Sequence, residues 1–395
     1  MNVKKSAFFD FLNRHTDYDF ETFLAGSTED VDFINWHDFC LISAYRDAPS
    51  EYHAVRDSCA LFDASPVKKY RFTGTDTGPF LDTIMTRRIS TLKPMHVGYA
   101  TFCNENGMLR DDGLLYKFAD DDYLLMVSEL DHDDYFAEVA RHFADVSIEE
   151  VTPSLAGLAV QGPKSCVVLS SFGFTSLETL KPFEIKEYAF RDSSVIVARA
   201  GFTADLGYEL WCAPELIQAV EQTIKEAEQS LDMQIGSYGL AAMNALRLEG
   251  GFVVPGWETA QTFEDDEHER TPAELGISWT VDLDREDDFI GKTALLKEKE
   301  DGPRFKTIGV TIEQKCDPDE AIVYSVVDGK RQKVGTLTSV AWSYQLNCYV
   351  ALASVRTLVR GSSYHLEIGG QQILCRETSL PFVNFDRYRQ TPAPC

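Results

Sequence analysis

Two acids in one short stretch raise the first chemical possibility. In GFTADLGYELW, Gly201 to Trp211, Asp205 and Glu209 follow the β-branched run VIVARA, whose pattern predicts a buried strand. Gly201 and Gly207 permit a turn and close backbone approach, and a carboxylate held at such a turn can address a ligand. The competing reading is a surface hairpin whose acids face water. A second pair, Asp111 and Asp112, follows the turn NENGMLR at the start of a predicted strand. Strand side chains alternate faces, so only one of the two can look into a pocket; its neighbour then meets backbone amides or water, unless the whole turn is solvated.

Arg247 and Glu249 in NALRLEGG are two residues apart on a predicted helix and diverge. An arginine in this apolar segment needs a partner, either a buried carboxylate or an anionic ligand group, and in an acidic chain a structural salt bridge is the simpler choice. FVVPGWE, Phe252 to Glu258, reads as a proline-stiffened connector that either buries Trp257 or forms one pocket wall. The histidines at 15, 37, 53, 96, 132, 142, 268 and 365 show no H-x-x-x-H or H-E-x-x-H spacing, so metal-assisted hydrolysis finds no support and no metal ligands are assigned. His268 sits in the charged run FEDDEHER, which reads as a solvated loop. Walker lysine loop, dinucleotide fingerprint and G-x-S-x-G elbow are all missing from the sequence.

The elements that must position these residues are legible in outline. EYHAVRDSC suits a helix, KKYRFTG a strand, and DTGPFLDTIM a short helix with Phe80, Leu81 and Ile84 on one face. The run from Tyr99 to Ser128 predicts three strands with turns at Asn104–Gly107 and Ala119–Asp122. HDDYFAEVARHFADV predicts a helix with Tyr135, Phe136, Val139 and Phe143 as its apolar stripe, and a longer helix is expected from Pro214 to Ser230. YGLAAMNALRLEGG predicts a third, closed by paired glycines. After Thr307 short strands follow one another between turn residues, which predicts a small antiparallel barrel or sandwich. The charged stretch Leu296 to Arg304 is the expected boundary, so the whole reads as α+β followed by all-β.

A chain of 395 residues predicts two or three packed domains. Its formal charge of -26 argues against nucleic-acid and anionic membrane surfaces, because both need basic patches. No apolar run reaches the roughly 20 residues of a membrane helix, and the N-terminus lacks the pattern of a secretory signal. Nine scattered cysteines without C-x-x-C spacing read as reduced thiols in a cytoplasmic protein.

Taken in order, EYHAVRDSCALFD, NENGMLRDDGLLY, AVQGPKS, GFTADLGYELW, GLAAMNALRLEGG, GWE, DFIGKTAL and the strands from KTIGVTIE to YVALASV resemble the aminomethyltransferase family. That family comprises the glycine-cleavage T-protein and its tetrahydrofolate-dependent demethylase relatives. The resemblance implies a three-lobed cloverleaf around a central folate site. Two ferredoxin-like lobes would span 1–295 and an antiparallel β-barrel 305–395. It implies that Asp205 grips the pterin edge, with Glu209 as the fallback and Tyr208 beside it. Asp111 would manage proton movement near folate N5 and N10 as the catalytic residue. Tyr99 would lie beside the folate, Arg247 would orient the pocket or meet anionic groups, and Trp257 with Glu258 would form the rim.

Two departures bear on activity. Ser65-Pro66-Val67 stands where the glycine-cleavage enzyme typically has Ser-His-Met, and Met243-Asn244 where it has Arg-Asp. The resemblance therefore implies a tetrahydrofolate-dependent methyltransferase that demethylates a small S-, N- or O-methylated donor to give 5-methyltetrahydrofolate. The alternative is aminomethyl transfer from a lipoyl carrier protein, giving methylenetetrahydrofolate. A non-catalytic folate-binding protein of the iron–sulfur assembly branch is a third reading; its marker cysteine has no counterpart in VVPGWE.

Overall fold

A computed structural model describes residues 3–16, 20–21, 33–36, 38–127, 131–260, 269–318, 321–327, 330–357 and 364–392. Three cores organise the chain. The first lobe is a five-stranded antiparallel sheet ordered His96–Cys103, Leu109–Ala119, Asp122–Val127, Lys68–Thr73, Ser147–Glu150. Helices Thr77–Ile84 and Asp133–Ala140 cover one face, and Phe80, Leu81 and Ile84 are fully buried there, as their spacing predicts. The second helix stops short of the expected Val146. Tighter turns follow Ala140 and bring Phe143 edge-on to Phe80 at 5.6 Å.

The second lobe is a six-stranded sheet ordered Ile185–Phe190, Ser193–Ala198, Gly207–Cys212, Ala156–Gln161, Ala60–Asp63, Gly236–Ser237. Its outer face packs on Ser165–Ser170 and on the long helix Ile217–Ser230, which is preceded by a 3-10 turn at Pro214–Leu216. The inner faces of the two sheets meet. Val97, Tyr116, Leu124 and Met126 of the first lobe share a cluster with Ile185, Ala198, Ala200 and Trp211 of the second. These sheets are therefore buried on both faces, and that fact governs what the sequence can reveal about side-chain direction.

Six late strands, from Phe305–Ile312 to Gln371–Thr378, close into an antiparallel barrel. Closure removes every edge, so short alternating strands suffice. The α+β cloverleaf with a C-terminal barrel is thus the observed fold. Much of the charged stretch belongs to the helix Lys292–Asp301, which packs Leu295 against Cys103 and Phe289. Cys40, Cys59, Cys103, Cys212, Cys316, Cys348 and Cys375 are free thiols. Cys166 is disulfide-bonded, which corrects the expectation that every cysteine is reduced. Among the described residues no helix is long and apolar enough to cross a membrane.

Candidate functional site

Strand register decides which acids can act. Leu109–Ala119 pairs with His96–Cys103 so that Thr101 faces Asp112, Tyr99 faces Leu114 and Val97 faces Tyr116. Cross-strand partners share a face, so Tyr99, Asp112 and Tyr116 all look inward toward the second lobe. Asp111 pairs with Phe102, whose ring belongs to the first lobe's own core. The sequence expectation that Asp111 faces the site is corrected by this parity. Its carboxylate is wholly buried behind the sheet, taking the Asp112 amide at 2.8 Å and lying 2.8 Å from His132 Nε2.

Asp112 carries the perturbed chemistry. Its carboxyl is pushed up to about 8, first by burial, then by the negative charge of Asp111, with Glu258 adding to the same direction. The Tyr99 hydroxyl donates to Asp112, and Tyr99 is held well above the ordinary phenol range by burial and that carboxylate. Trp279 stacks on Tyr99, centroids 5.5 Å apart and planes 27° from parallel, with 63 % of its surface exposed. The turn that carries it is pinned by Thr101 to Thr280 at 2.9 Å and by Thr86 to the Thr280 carbonyl at 2.8 Å. Tyr99, Asp112 and an exposed indole thus form one contiguous group.

Glu209 faces the first lobe from the second lobe's sheet. Along Gly207–Cys212, Glu209 and Trp211 point inward while Tyr208 and Leu210 enter the second lobe's core. The Tyr116 hydroxyl donates to Glu209 at 2.7 Å and itself receives the Trp211 indole N–H at 3.2 Å. Burial raises the Glu209 carboxyl. Tyr208, expected among the ligand contacts, is fully buried and directed at the Leu177 carbonyl, on the wrong side of the sheet.

Asp205 also departs from expectation. Its side chain is sealed from solvent, with Arg387 bonding at 3.0 and 2.6 Å and Arg56 at 3.4 Å. Arg56 continues to Glu249 at 2.8 Å, and Glu249 takes the Tyr52 hydroxyl at 2.7 Å and the Ser343 hydroxyl at 2.7 Å. This network ties the second lobe, the helix Ala48–Asp57, the helix Leu240–Glu249, the barrel and the C-terminal segment together. Two arginines occupy the carboxylate, so no edge is left for a ligand.

Arg247 is likewise a strut. Fully buried, it donates to Glu258 at 3.1 Å, the Phe252 carbonyl at 2.8 Å, Ser339 at 2.7 Å and Asn244 at 2.9 Å. This is the buried-carboxylate partner that its place in an apolar helix demands, and it removes Arg247 from direct ligand contact. Trp257 is half-buried, its ring 5.0 Å from the Arg247 guanidinium. Asn244, one of the two departures, bonds both Arg247 and the Val340 carbonyl, so it serves this strut. The other departure is underpinned by Lys69, which donates to the Ser65 and Val67 carbonyls at 2.9 and 2.6 Å; burial pushes its amine down to about 7.

Sequence reasoning therefore found the Asp111–Asp112 pair but gave the role to Asp111, and it did not single out Tyr116, His132 or Trp279. Among the described residues no group of three or more His, Cys, Asp or Glu is placed to hold a metal. His37 and His268 lie outside the described residues.

Comparison with known proteins shows the family. The GCVT N-terminal domain model matches residues 31–285, and the glycine cleavage T-protein C-terminal barrel domain model matches residues 306–384. An aminomethyltransferase of Clostridium botulinum (strain Loch Maree / Type A3) is 33% identical over 82% of this chain and 85% of its own. One from Lysinibacillus sphaericus (strain C3-41) is 33% identical over 92% of this chain and 96% of its own. The crystal structure of the glycine cleavage system aminomethyltransferase T from Bartonella henselae shares the fold. Its TM-score is 0.79 at 21% identity, covering 99% of this chain and 100% of the other.

Proposed function

The chain belongs to the aminomethyltransferase family, and from that premise we propose that it moves a methyl group from a small S-, N- or O-methylated donor to tetrahydrofolate. On the inward faces of the two sheets, Glu209 is the acid whose chemistry suits a reduced pterin. Glu209 presents a carboxylate with two acceptor oxygens, suited to the paired amino and ring N–H donors of a pterin edge. Asp205, closed by Arg56 and Arg387, does not. When bound, tetrahydrofolate supplies the nucleophilic ring nitrogen that accepts the carbon. Glu209 would hold the ring's edge, with its own direction set by Tyr116.

Asp112 is the single observation that carries the reading. A carboxyl pushed up to about 8, facing inward and held by Tyr99, stores a proton at neutral pH. As the bond from methyl carbon to heteroatom breaks, its electron pair stays on the heteroatom. Asp112 is placed to protonate an oxygen or nitrogen so released, and its carboxylate then takes up a proton from the acceptor. Tyr99 and Trp279 would stack on flat or cationic groups, and burial around Asp112 keeps water from competing.

The relatives' own names favour a second reading in the same class, aminomethyl transfer with a lipoyl carrier protein as donor. Ser65-Pro66-Val67 and Met243-Asn244 support the demethylating one, since both depart from the glycine-cleavage pattern. One incubation separates them. Purified protein and tetrahydrofolate are offered aryl methyl ethers, methylsulfonium and methylammonium compounds, or lipoylated carrier protein charged with glycine carbon. Methyltetrahydrofolate from a small donor supports the first reading; methylenetetrahydrofolate and ammonia from the carrier alone overturn it.

A further inference from the structure

Glu209 is held by more than its immediate hydrogen-bond partner. Trp211, two residues further along the same strand, pairs with Gly157 of the neighbouring strand Ala156–Gln161. A Cβ at Gly157 would lie 2.0 Å from the six-membered ring of the indole. The glycine therefore leaves the space in which the ring lies across its strand, a close approach that a strand glycine permits. So seated, the indole N–H meets the Tyr116 hydroxyl at 3.2 Å, and that hydroxyl meets Glu209 Oε2 at 2.7 Å. The turn Ser65–Val67 holds the same seat. The Ser65 hydroxyl accepts the Gly157 N–H at 3.0 Å. The Lys69 ammonium, bonded to the Ser65 and Val67 carbonyls, stands 5.3 Å from the centre of the indole ring. The turn that departs from the glycine-cleavage pattern thus shares its support with Glu209.

We propose that Trp211 is a positioning residue for Glu209, acting through Tyr116, and that this chain restricts the site to ligands presenting hydrogen-bond donors to that acid. The inference rests on the reading of Glu209 as the acid that holds the pterin edge. An indole nitrogen only donates, so it occupies a lone pair of the Tyr116 oxygen and cannot receive the phenol's proton. The phenol carries one proton, and Glu209 receives it. Both rings are buried between the sheets, where low dielectric strengthens the two bonds and each polarises the other. The far end of the chain is therefore a carboxyl group set as an acceptor, the complement of a ring edge that offers an amino group and an N–H. Gly157 and the Ser65–Val67 turn act one step further back, by seating the indole.

Two readouts test this. In ligand-free protein labelled with ¹⁵N at tryptophan, the Trp211 indole N–H is assigned by its loss in Trp211→Phe or, should that variant fail to fold, by replacing the other tryptophans in turn. Tyr116→Phe keeps the ring and deletes the acceptor, so the Trp211 indole proton should move upfield. A resonance that stays put overturns the proposal. Tetrahydrofolate titration reads the consequence. Trp211→Phe keeps an aromatic ring and loses the donor, and should weaken binding about threefold to tenfold, the worth of a neutral hydrogen bond. Tyr116→Phe should weaken it at least as much, and adding Trp211→Phe to Tyr116→Phe should cost nothing further, because the chain is already cut. Losses that add in full in the double variant are those of a loosened contact between lobes, and they overturn the positioning role. A parent protein that binds no tetrahydrofolate sinks the pterin reading and the ligand half of the proposal with it, while the indole resonance separately decides the positioning half.

Discussion

Asp205 and Glu209 leave one loop-and-strand unit four residues apart and reach opposite ends. Asp205 is gripped by Arg387 at 2.6 Å in a network that joins lobes to barrel, whereas Glu209 turns inward to the Tyr116 hydroxyl at 2.7 Å. The former is architecture, and the latter is the acid that the proposed function assigns to a pterin.

Glu209→Gln keeps the shape and deletes the charge. Tetrahydrofolate affinity should fall about tenfold, the worth of one charge-assisted hydrogen bond, with thermal stability unchanged or raised. Asp205→Asn should do the reverse, costing about 3 kcal/mol of stability because two arginines lose their partner. Denaturant unfolding and ligand titration on the same preparations separate the two roles. Equal loss of affinity in both folded variants would contradict the assignment.

Asp112→Asn should lower turnover by about a hundredfold or more, the usual worth of a general acid, with tetrahydrofolate affinity changed by less than about threefold. The pH profile follows from the direction of the shift: the acid form is the active one, so the rate should fall on the alkaline side as pH passes about 8. A rate that rises through that range would mean the carboxylate is the working form.

The same group has a signature in stability. The folded-state value of Asp112 lies near 8, well above its unfolded value near 4, so the native state binds the extra proton between those limits. Its contribution is complete below about pH 4 and is lost as pH rises through about 8. Relative to the parent, Asp112→Asn should therefore gain stability with rising pH across that window, by at most about 1.4 kcal/mol per unit, and run parallel outside it. Chemical unfolding at a series of pH values measures this; parallel curves throughout would contradict the raised carboxyl.

Arg247 and Glu258 should behave as a buried pair. Arg247→Met or Glu258→Gln alone should cost about 3 to 5 kcal/mol, and the double variant clearly less than the sum. Additive losses in denaturant unfolding would mean that the two act independently.

Much of this architecture is legible in residue patterns. The barrel strands announce themselves through short alternating runs between turns, and Phe80, Leu81 and Ile84 mark their helix face. The site is harder to read for a physical reason. Gly113 to Tyr116 lies in a strand buried on both faces, so apolar residues flank it on either side and alternation gives no direction. Asp111 and Asp112 are then indistinguishable until the register with Thr101 and Phe102 is seen. Asp205 presents a different obstacle: its partner Arg387 is 182 residues away, beyond the reach of local pattern. Trp279 gives no periodic signal because it sits in a 3-10 turn of three residues.

Calorimetric titration of tetrahydrofolate into the parent protein, Glu209→Gln and folded Asp205→Asn tests the inward-facing pterin site most directly. The expected result is saturable binding in the parent, about tenfold weaker binding in Glu209→Gln, and near-parent affinity in Asp205→Asn. No heat in the parent, or an affinity indifferent to Glu209, would contradict it.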